Sequence, residues 1–398
     1  MNKVYLFINL KEEDVYVGDV YFDNGQYSFE YADSYLKNPN RVAIDPQIFF
    51  FNGRQFSETE FCFIRDMIPD RFGRLLINKD EEDNAKKENR LPRKLSSFDY
   101  LVGVNDLNRM GALRIKIDFD GEFVGNKSQI PPYIYLREIE QASVDLDLNK
   151  EIESNILNKL LLPGSSLGGA RPKASVYFND DVYIAKFPSK NDTYDVELLE
   201  YVALEIAKKV GINTPETRLE QYSNYGHTLL VKRFDRNGKE RIHYISGVTA
   251  LHTTDGTSSD FSCLDLVTFL KANSLDVKNE LLELYKRVIF DFLINDIDNH
   301  LRNHAFMVEP NSIYKLSPVF DISPSLFEGF FELNPGGGYS KENIINTSLH
   351  YSIKKDDALE IYDSISKVII SELEKYANRF PESKKSITQL LNIVKKRV

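Results

Sequence analysis

The feature that most constrains this chain is a run between Leu281 and Asp321 in which a helix pattern, a polar loop and two strand patterns follow one another. Leu281, Leu282, Leu284, Tyr285, Val288, Ile289, Phe292 and Leu293 recur at helical spacing, and a stripe that wide fits a buried helix. Such a helix delivers residues 295–303, NDIDNHLRN, into a loop. Residues 305–308 and 314–320 then read as strands joined by a Glu309-Pro310-Asn311-Ser312 turn, so Asp321 leaves the second strand close to that loop. Asp298 is followed five residues later by Asn303. One carboxylate to orient a hydroxyl and accept its proton, with an amide oxygen and a second carboxylate to hold a divalent cation, is the set that phosphoryl transfer needs. Each residue alone reads equally well as a cap or turn residue; the ordered set is more specific.

Upstream, residues 163–174 read PGSSLGGARPKA, and strand candidates at 175–178 and 182–187 flank an Asn179-Asp180-Asp181 turn. A glycine pair beside strands lets backbone N–H groups approach a phosphate, while Arg171 and Lys173 add positive charge. No GK[ST] ends the segment, so it is not a Walker A loop. Lys186 lies at the end of the second strand, where kinase-like folds keep the lysine that pairs with α- and β-phosphates. A helix is predicted over 195–210, with an apolar stripe of Leu198, Val202, Leu204 and Ile206 and closed by Gly211. Of its glutamates Glu197, Glu200 and Glu205, Glu200 is placed to orient Lys186 by an ion pair; the alternative is that all three solvate the helix exterior. Residues 228–231 form an apolar strand that turns polar at Lys232.

Residues 1–125 read as a β-rich unit: Val4, Leu6 and Ile8 alternate, and Asp23-Asn24-Gly25 marks a hairpin turn. A helical pattern over 57–76 places Phe61, Ile64, Ile68, Phe72 and Leu75 on one side, and the charged stretch 80–94 is an exposed loop or a solvated helix. Residues 112–119 alternate as a strand, a boundary falls near 130, and helices are predicted at 133–160, 263–272, 279–294, 355–377 and 384–396. Gly336-Gly337-Gly338 reads as a flexible joint. A net charge of −10 and a pI near 5.3 argue against a chain that wraps nucleic-acid phosphates unaided. Cys62 and Cys263 both neighbour phenylalanine in apolar runs, which predicts buried reduced thiols, and the six histidines make no zinc-binding pattern. With neither a signal-peptide pattern nor an apolar run of about 18 residues, a cytoplasmic protein without membrane contact is expected.

Taken together, these motifs resemble the HipA family of bacterial serine/threonine kinases, the toxin halves of HipBA-type toxin–antitoxin pairs. The resemblance rests on SSLGGARPKA at 165–174, YIAKF at 183–187, LVKRFDR at 230–236, NDIDNHLRNHAF at 295–306 and SPVFDISPS at 317–325, with PDRFGR at 69–74 and RMGALR at 109–114. It implies an α+β, bilobal protein-kinase-like fold with a β-rich N-terminal subdomain (1–130), a nucleotide-binding N-lobe (131–235) and an all-α C-terminal lobe (236–398). By the resemblance Asp298 is the catalytic carboxylate. His300, Leu301, Arg302 and Asn303 border the triphosphate, Phe320 precedes Asp321, and Asn303 and Asp321 hold Mg²⁺. Gly168, Gly169, Ala170, Arg171, Pro172 and Lys173 form the phosphate loop, Lys186 pairs with ATP, and Lys232, Arg233 and Phe234 form the adenine hinge. Ser166 or Ser165 is the site of autophosphorylation, and a phosphate there would repel the nucleotide. The implied partners are a HipB-like helix-turn-helix antitoxin, which would make most of any DNA contact, and a protein substrate such as an aminoacyl-tRNA synthetase. Two other readings share these residues: a catalytically weak nucleotide-binding corepressor, and a small-molecule kinase of aminoglycoside type.

Overall fold

The computed structural model describes residues 2–125, 130–147, 171–254 and 256–398. The chain divides into two compact units, one formed by 1–190 and 230–245, the other by 191–229 and 246–398.

In the first unit, β1 (Asn2–Leu10), β2 (Glu13–Asp23), β3 (Gln26–Tyr31), β4 (Arg54–Ser57) and β5 (Leu113–Lys116) make an antiparallel sheet in the order β4-β3-β2-β1-β5. The predicted alternation holds: Val4, Leu6, Ile8, Val17, Val20 and Phe29 are buried. Asn24 and Gly25 both take positive φ, the conformation that lets a two-residue turn follow the strand twist. The helical pattern is split in two, α1 (Cys62–Met67) and α2 (Arg71–Lys87), on either side of Pro69. α2 runs into the charged stretch because Glu81 and Ala85 are buried on its inner face, Glu81 accepting from Arg90. Leu75, expected on the apolar side, is exposed. Further along lie α3 (Leu136–Asp147) and the hairpin β6 (Lys173–Phe178) and β7 (Asp181–Lys186). Asn179 and Asp180, both at positive φ, turn that hairpin.

A buried charge network ties 230–245 to the β-rich segment. Asp235 accepts from Arg233 (2.7 Å), Arg236 (2.6 Å) and the Gly111 N–H (2.6 Å), while Asp106 accepts from Arg114 (2.6 Å) and Arg241 (2.7 Å). Arg109, wholly buried, donates to the carbonyls of Met67, Leu101 and Val104. Burial would push Asp235 up, but Arg233 and Arg236 hold it far below the usual carboxylate range.

The second unit is built on α4 (Val196–Lys209), α5 (Cys263–Asn273), α6 (Val277–Ile294), α7 (Lys355–Arg379) and α8 (Lys384–Arg397). α6 is the buried helix that the sequence predicts, with Leu281, Leu284, Tyr285, Ile289 and Leu293 inaccessible. The apolar run predicted at 228–231 forms β8 (Thr228–Lys232), and the lobe expected to be all α also carries β9 (Ala305–Glu309) and β10 (Ile313–Leu316), the hairpin predicted from the same stretch. β10 stops at Leu316, short of the predicted 320, because Pro318 has no N–H to extend the ladder. The triple glycine is an ordered turn: the Asn334 side chain accepts from the N–H groups of Gly336 and Gly338. Cys62 and Cys263 are buried thiols. No described helix is long and apolar enough to cross a membrane.

Candidate active site

The second unit assembles the loop predicted to carry the chemistry. α6 ends at Asn295, whose left-handed backbone (φ 61°) caps the helix and turns the chain sharply out of it. Asp298 is exposed in the loop that follows, and a 3-10 turn spans Leu301–Asn303. The Asn303 side-chain N–H donates to the Asp298 carbonyl (3.3 Å), which closes the loop on itself and leaves the amide oxygen as the acceptor a cation can use. Leu301 is buried and its N–H donates to the Ser258 hydroxyl (3.1 Å), so its side chain anchors the loop. His300 and Arg302 flank it half-buried, and the buried His300 Nδ1 meets no hydrogen-bond partner among the described residues.

The strand leading to Asp321 is fixed independently. The Leu316 N–H donates to Glu280 (2.7 Å), the Arg287 guanidinium to the Ser317 carbonyl (2.8 Å), and the Val319 N–H to the Asn213 carbonyl (2.8 Å). Phe320 and Asp321 are half-buried, and Asp321 takes the left-handed backbone (φ 59°), which aspartate adopts more readily than most residues. Four residues on, the Ser325 N–H donates to the Asn295 carbonyl (3.0 Å), which ties the chain past Asp321 to the start of the Asp298 loop, and burial, with the charge of Asp291 next, pushes Asp296 well up. Asp296 Oδ1 is buried without a hydrogen-bond partner among the described residues. Asp291, also raised by burial, accepts from the Asn299 side chain (2.7 Å).

Three contributors to this loop carry no signal in the sequence reading. Besides Ser258, they are the Asp291–Asn299 pair and Gly247, whose N–H donates to the His304 carbonyl (2.7 Å). On α4, capped by the Asp195 side chain, Glu197 and Glu200 are both buried, so these two do not solvate the helix exterior.

In the first unit, Lys173 and Lys186 stand directly opposite each other across β6 and β7, both buried. Opposed residues of antiparallel strands share a face, so the pair gathers positive charge at one end of the hairpin. The Pro172 carbonyl accepts from the Phe187 N–H (3.0 Å), which holds the end of the segment predicted to bind phosphate, and Arg171 is half-buried beside it. Ser165, Ser166, Gly168, Gly169 and Ala170 lie outside the described residues. Lys232 pairs with Asp181, and Phe234 packs edge-on against Tyr244. The Arg233 side chain is fully committed to Asp235 and to the carbonyls of Asn108 and Arg109, and its N–H donates to Val182 (2.9 Å).

A helix-borne loop with a carboxylate and an amide, next to a strand exit with a second carboxylate, defines a protein of the kinase-like fold class. The chain belongs to the HipA-like family: the model of the HipA-like C-terminal domain matches residues 165–375. Over nearly its whole length it superposes on HipA in the toxin–antitoxin complex of HipA, HipB and operator DNA from Shewanella oneidensis MR-1, with a TM-score of 0.71, 16% identity and 99% of this chain and 97% of that chain covered. In sequence it is 27% identical over 175 residues to the serine/threonine-protein kinase CtkA of Helicobacter pylori, a match that covers 42% of this chain and 53% of that protein. The chain spans about half the length of the curated relatives it matches.

Proposed function

We infer that this chain is an ATP- and Mg²⁺-dependent protein serine/threonine kinase and the toxin half of a toxin–antitoxin pair. The observation that supports the reading is that Asn303 closes the loop onto the Asp298 carbonyl, while the chain just past Asp321 is tied to the start of that loop by the Ser325 N–H on the Asn295 carbonyl (3.0 Å). Asp298, the exposed member, takes the proton of the acceptor hydroxyl as the new oxygen–phosphorus bond forms. The bond from the γ-phosphorus to its bridging oxygen breaks, and its electron pair leaves with the diphosphate. Lys186 and Lys173 neutralise phosphate oxygens, with residues 168–171 and 173 supplying backbone N–H groups. Because Arg233 spends its side chain and N–H within the protein, the adenine edge is read by the backbone of Lys232 and Phe234.

The donors suit the metal. Asn303 and Asp321 offer only oxygen, the ligand that a hard cation such as Mg²⁺ takes. When bound, that ion neutralises charge on the transferring phosphates. Ser165 or Ser166 is the proposed autophosphorylation site, and a helix-turn-helix antitoxin the proposed partner, as the HipA–HipB complex of the structural neighbour supports. The protein substrate is proposed to belong to translation, with an aminoacyl-tRNA synthetase first to test. A phosphoproteome of cells expressing the wild type against Asp298→Asn tests the reading: serine sites that appear only with the wild type support it, and identical phosphoproteomes refute it.

A further inference from the structure

The segment after Asp321 carries a feature that nucleotide chemistry does not use. Phe330 is 99% exposed and Phe327 58% exposed, three residues apart in one arch. Exposed aromatics are usual on loose loops, but this arch is bolted to the catalytic loop. The Asn295 side chain donates to the carbonyls of Ser325 (2.8 Å) and Phe327 (2.9 Å), the Ser325 N–H donates to the Asn295 carbonyl (3.0 Å), and the Glu332 N–H donates to the Ile297 carbonyl (3.1 Å). Between them Gly329 lies against Ile297 so closely that a Cβ would come within 2.5 Å of its Cδ1. A large apolar side chain left in water on a backbone fixed to residues 295–297 is what an interaction anchor looks like before its partner arrives. Charge indicates which partner. Between Lys315 and Lys341 the sequence has no basic residue but has Asp321, Glu328 and Glu332, with both glutamates exposed beside the phenylalanines; Arg397, which lies over Phe331, is half-buried and spends its guanidinium on the Asn295 side chain and the Phe292 carbonyl.

We propose that the arch 326–332 is the docking element for the protein substrate, and that it selects a segment in which a large apolar side chain adjoins lysine or arginine near the acceptor serine. The apolar side chain packs on Phe330 and Phe327, and Glu328 and Glu332 face its basic neighbour. This rests on the kinase reading above and adds the substrate class to it. The arrangement accounts for the backbone hydrogen bonds: an arch whose backbone is already ordered loses little backbone freedom on binding, and one mounted on residues 295–297 sets the acceptor's distance from Asp298.

The test uses the full chain, ATP with Mg²⁺, and a serine peptide library that varies the flanking residues. The wild type is expected to favour apolar-plus-basic flanks, and Phe330→Ala to raise the KM of the preferred peptide by about tenfold, with kcat within about twofold and nucleotide affinity unchanged. A Glu328→Lys, Glu332→Lys double variant is expected to turn the preference from basic to acidic flanks, a change that a merely structural loop would not produce. Phe330 makes no buried contact that folding needs, and unchanged melting of the variant verifies this. Transfer by the wild type with no flank preference, or the same KM for Phe330→Ala, overturns the docking role and leaves the kinase reading standing. No transfer by the wild type to any peptide or protein overturns both.

Discussion

Gly247 sits under the Leu301 carbonyl so tightly that a Cβ would lie 2.6 Å from that oxygen, well inside van der Waals contact. Neither backbone can yield without moving the turn that positions Asn303 against Asp298. Gly247→Ala is therefore expected to cost about 1–3 kcal/mol of stability by overpacking and to lower phosphoryl transfer more than its loss of folded protein explains. Melting and initial-rate measurements on one preparation check this; a variant with wild-type rates would mean the loop does not depend on that contact. At this scale the sequence is legible where chemistry dictates the spacing. Asp298, Asn303 and Asp321 follow from what a phosphate and a cation require, and the fold holds them in one unit. Ser258 and Gly247 are invisible beforehand because each supports the loop from some fifty residues away, with nothing local to mark the contact.

Among the elements, the strands and long helices are legible because their apolar periodicity is complete, as in α6 and the first hairpin. Their ends are less so. α2 persists past the last apolar repeat because Glu81 is buried on Arg90, and β10 stops early at a proline that the alternation alone overlooks. The buried network around Asp235 is the clearest case of structure made by distant residues: Arg233 and Arg236 are local, but Gly111 and the carbonyls of Asn108 and Arg109 come from over a hundred residues away. Asp235→Asn keeps the shape and removes the charge, leaving two guanidinium groups buried without their carboxylate. The expected cost is about 3–5 kcal/mol of unfolding free energy by denaturant titration. A loss below about 1 kcal/mol, as for a surface pair, would contradict a structural role for the network.

For the molecule as a whole, buried titratable groups set how stability varies with pH. Burial lowers His243 to about 4 and His304 to about 3, so both stay neutral when folded while the unfolded chain protonates below 6.5. Their contribution is complete above pH 6.5 and is lost as pH falls through that window. Asp291 and Asp296 act in the opposite direction: raised by burial, they favour the folded state most below 3.8 and progressively less as pH rises. The histidine part is isolated by difference. The stability gap between wild type and His243→Gln should shift toward the variant by about 3 kcal/mol between pH 7 and pH 4. A gap that does not change with pH would show that His243 is not a buried neutral group.

The account as a whole turns on Asp298 as the group that receives the acceptor's proton. Its most direct test is transfer of the γ-phosphate from labelled ATP to protein serine by the wild type and by Asp298→Asn, with nucleotide affinity measured in parallel. The account predicts label on serine with the wild type, and for the variant a fall of about a hundredfold or more while nucleotide still binds. Undiminished transfer by Asp298→Asn would contradict it.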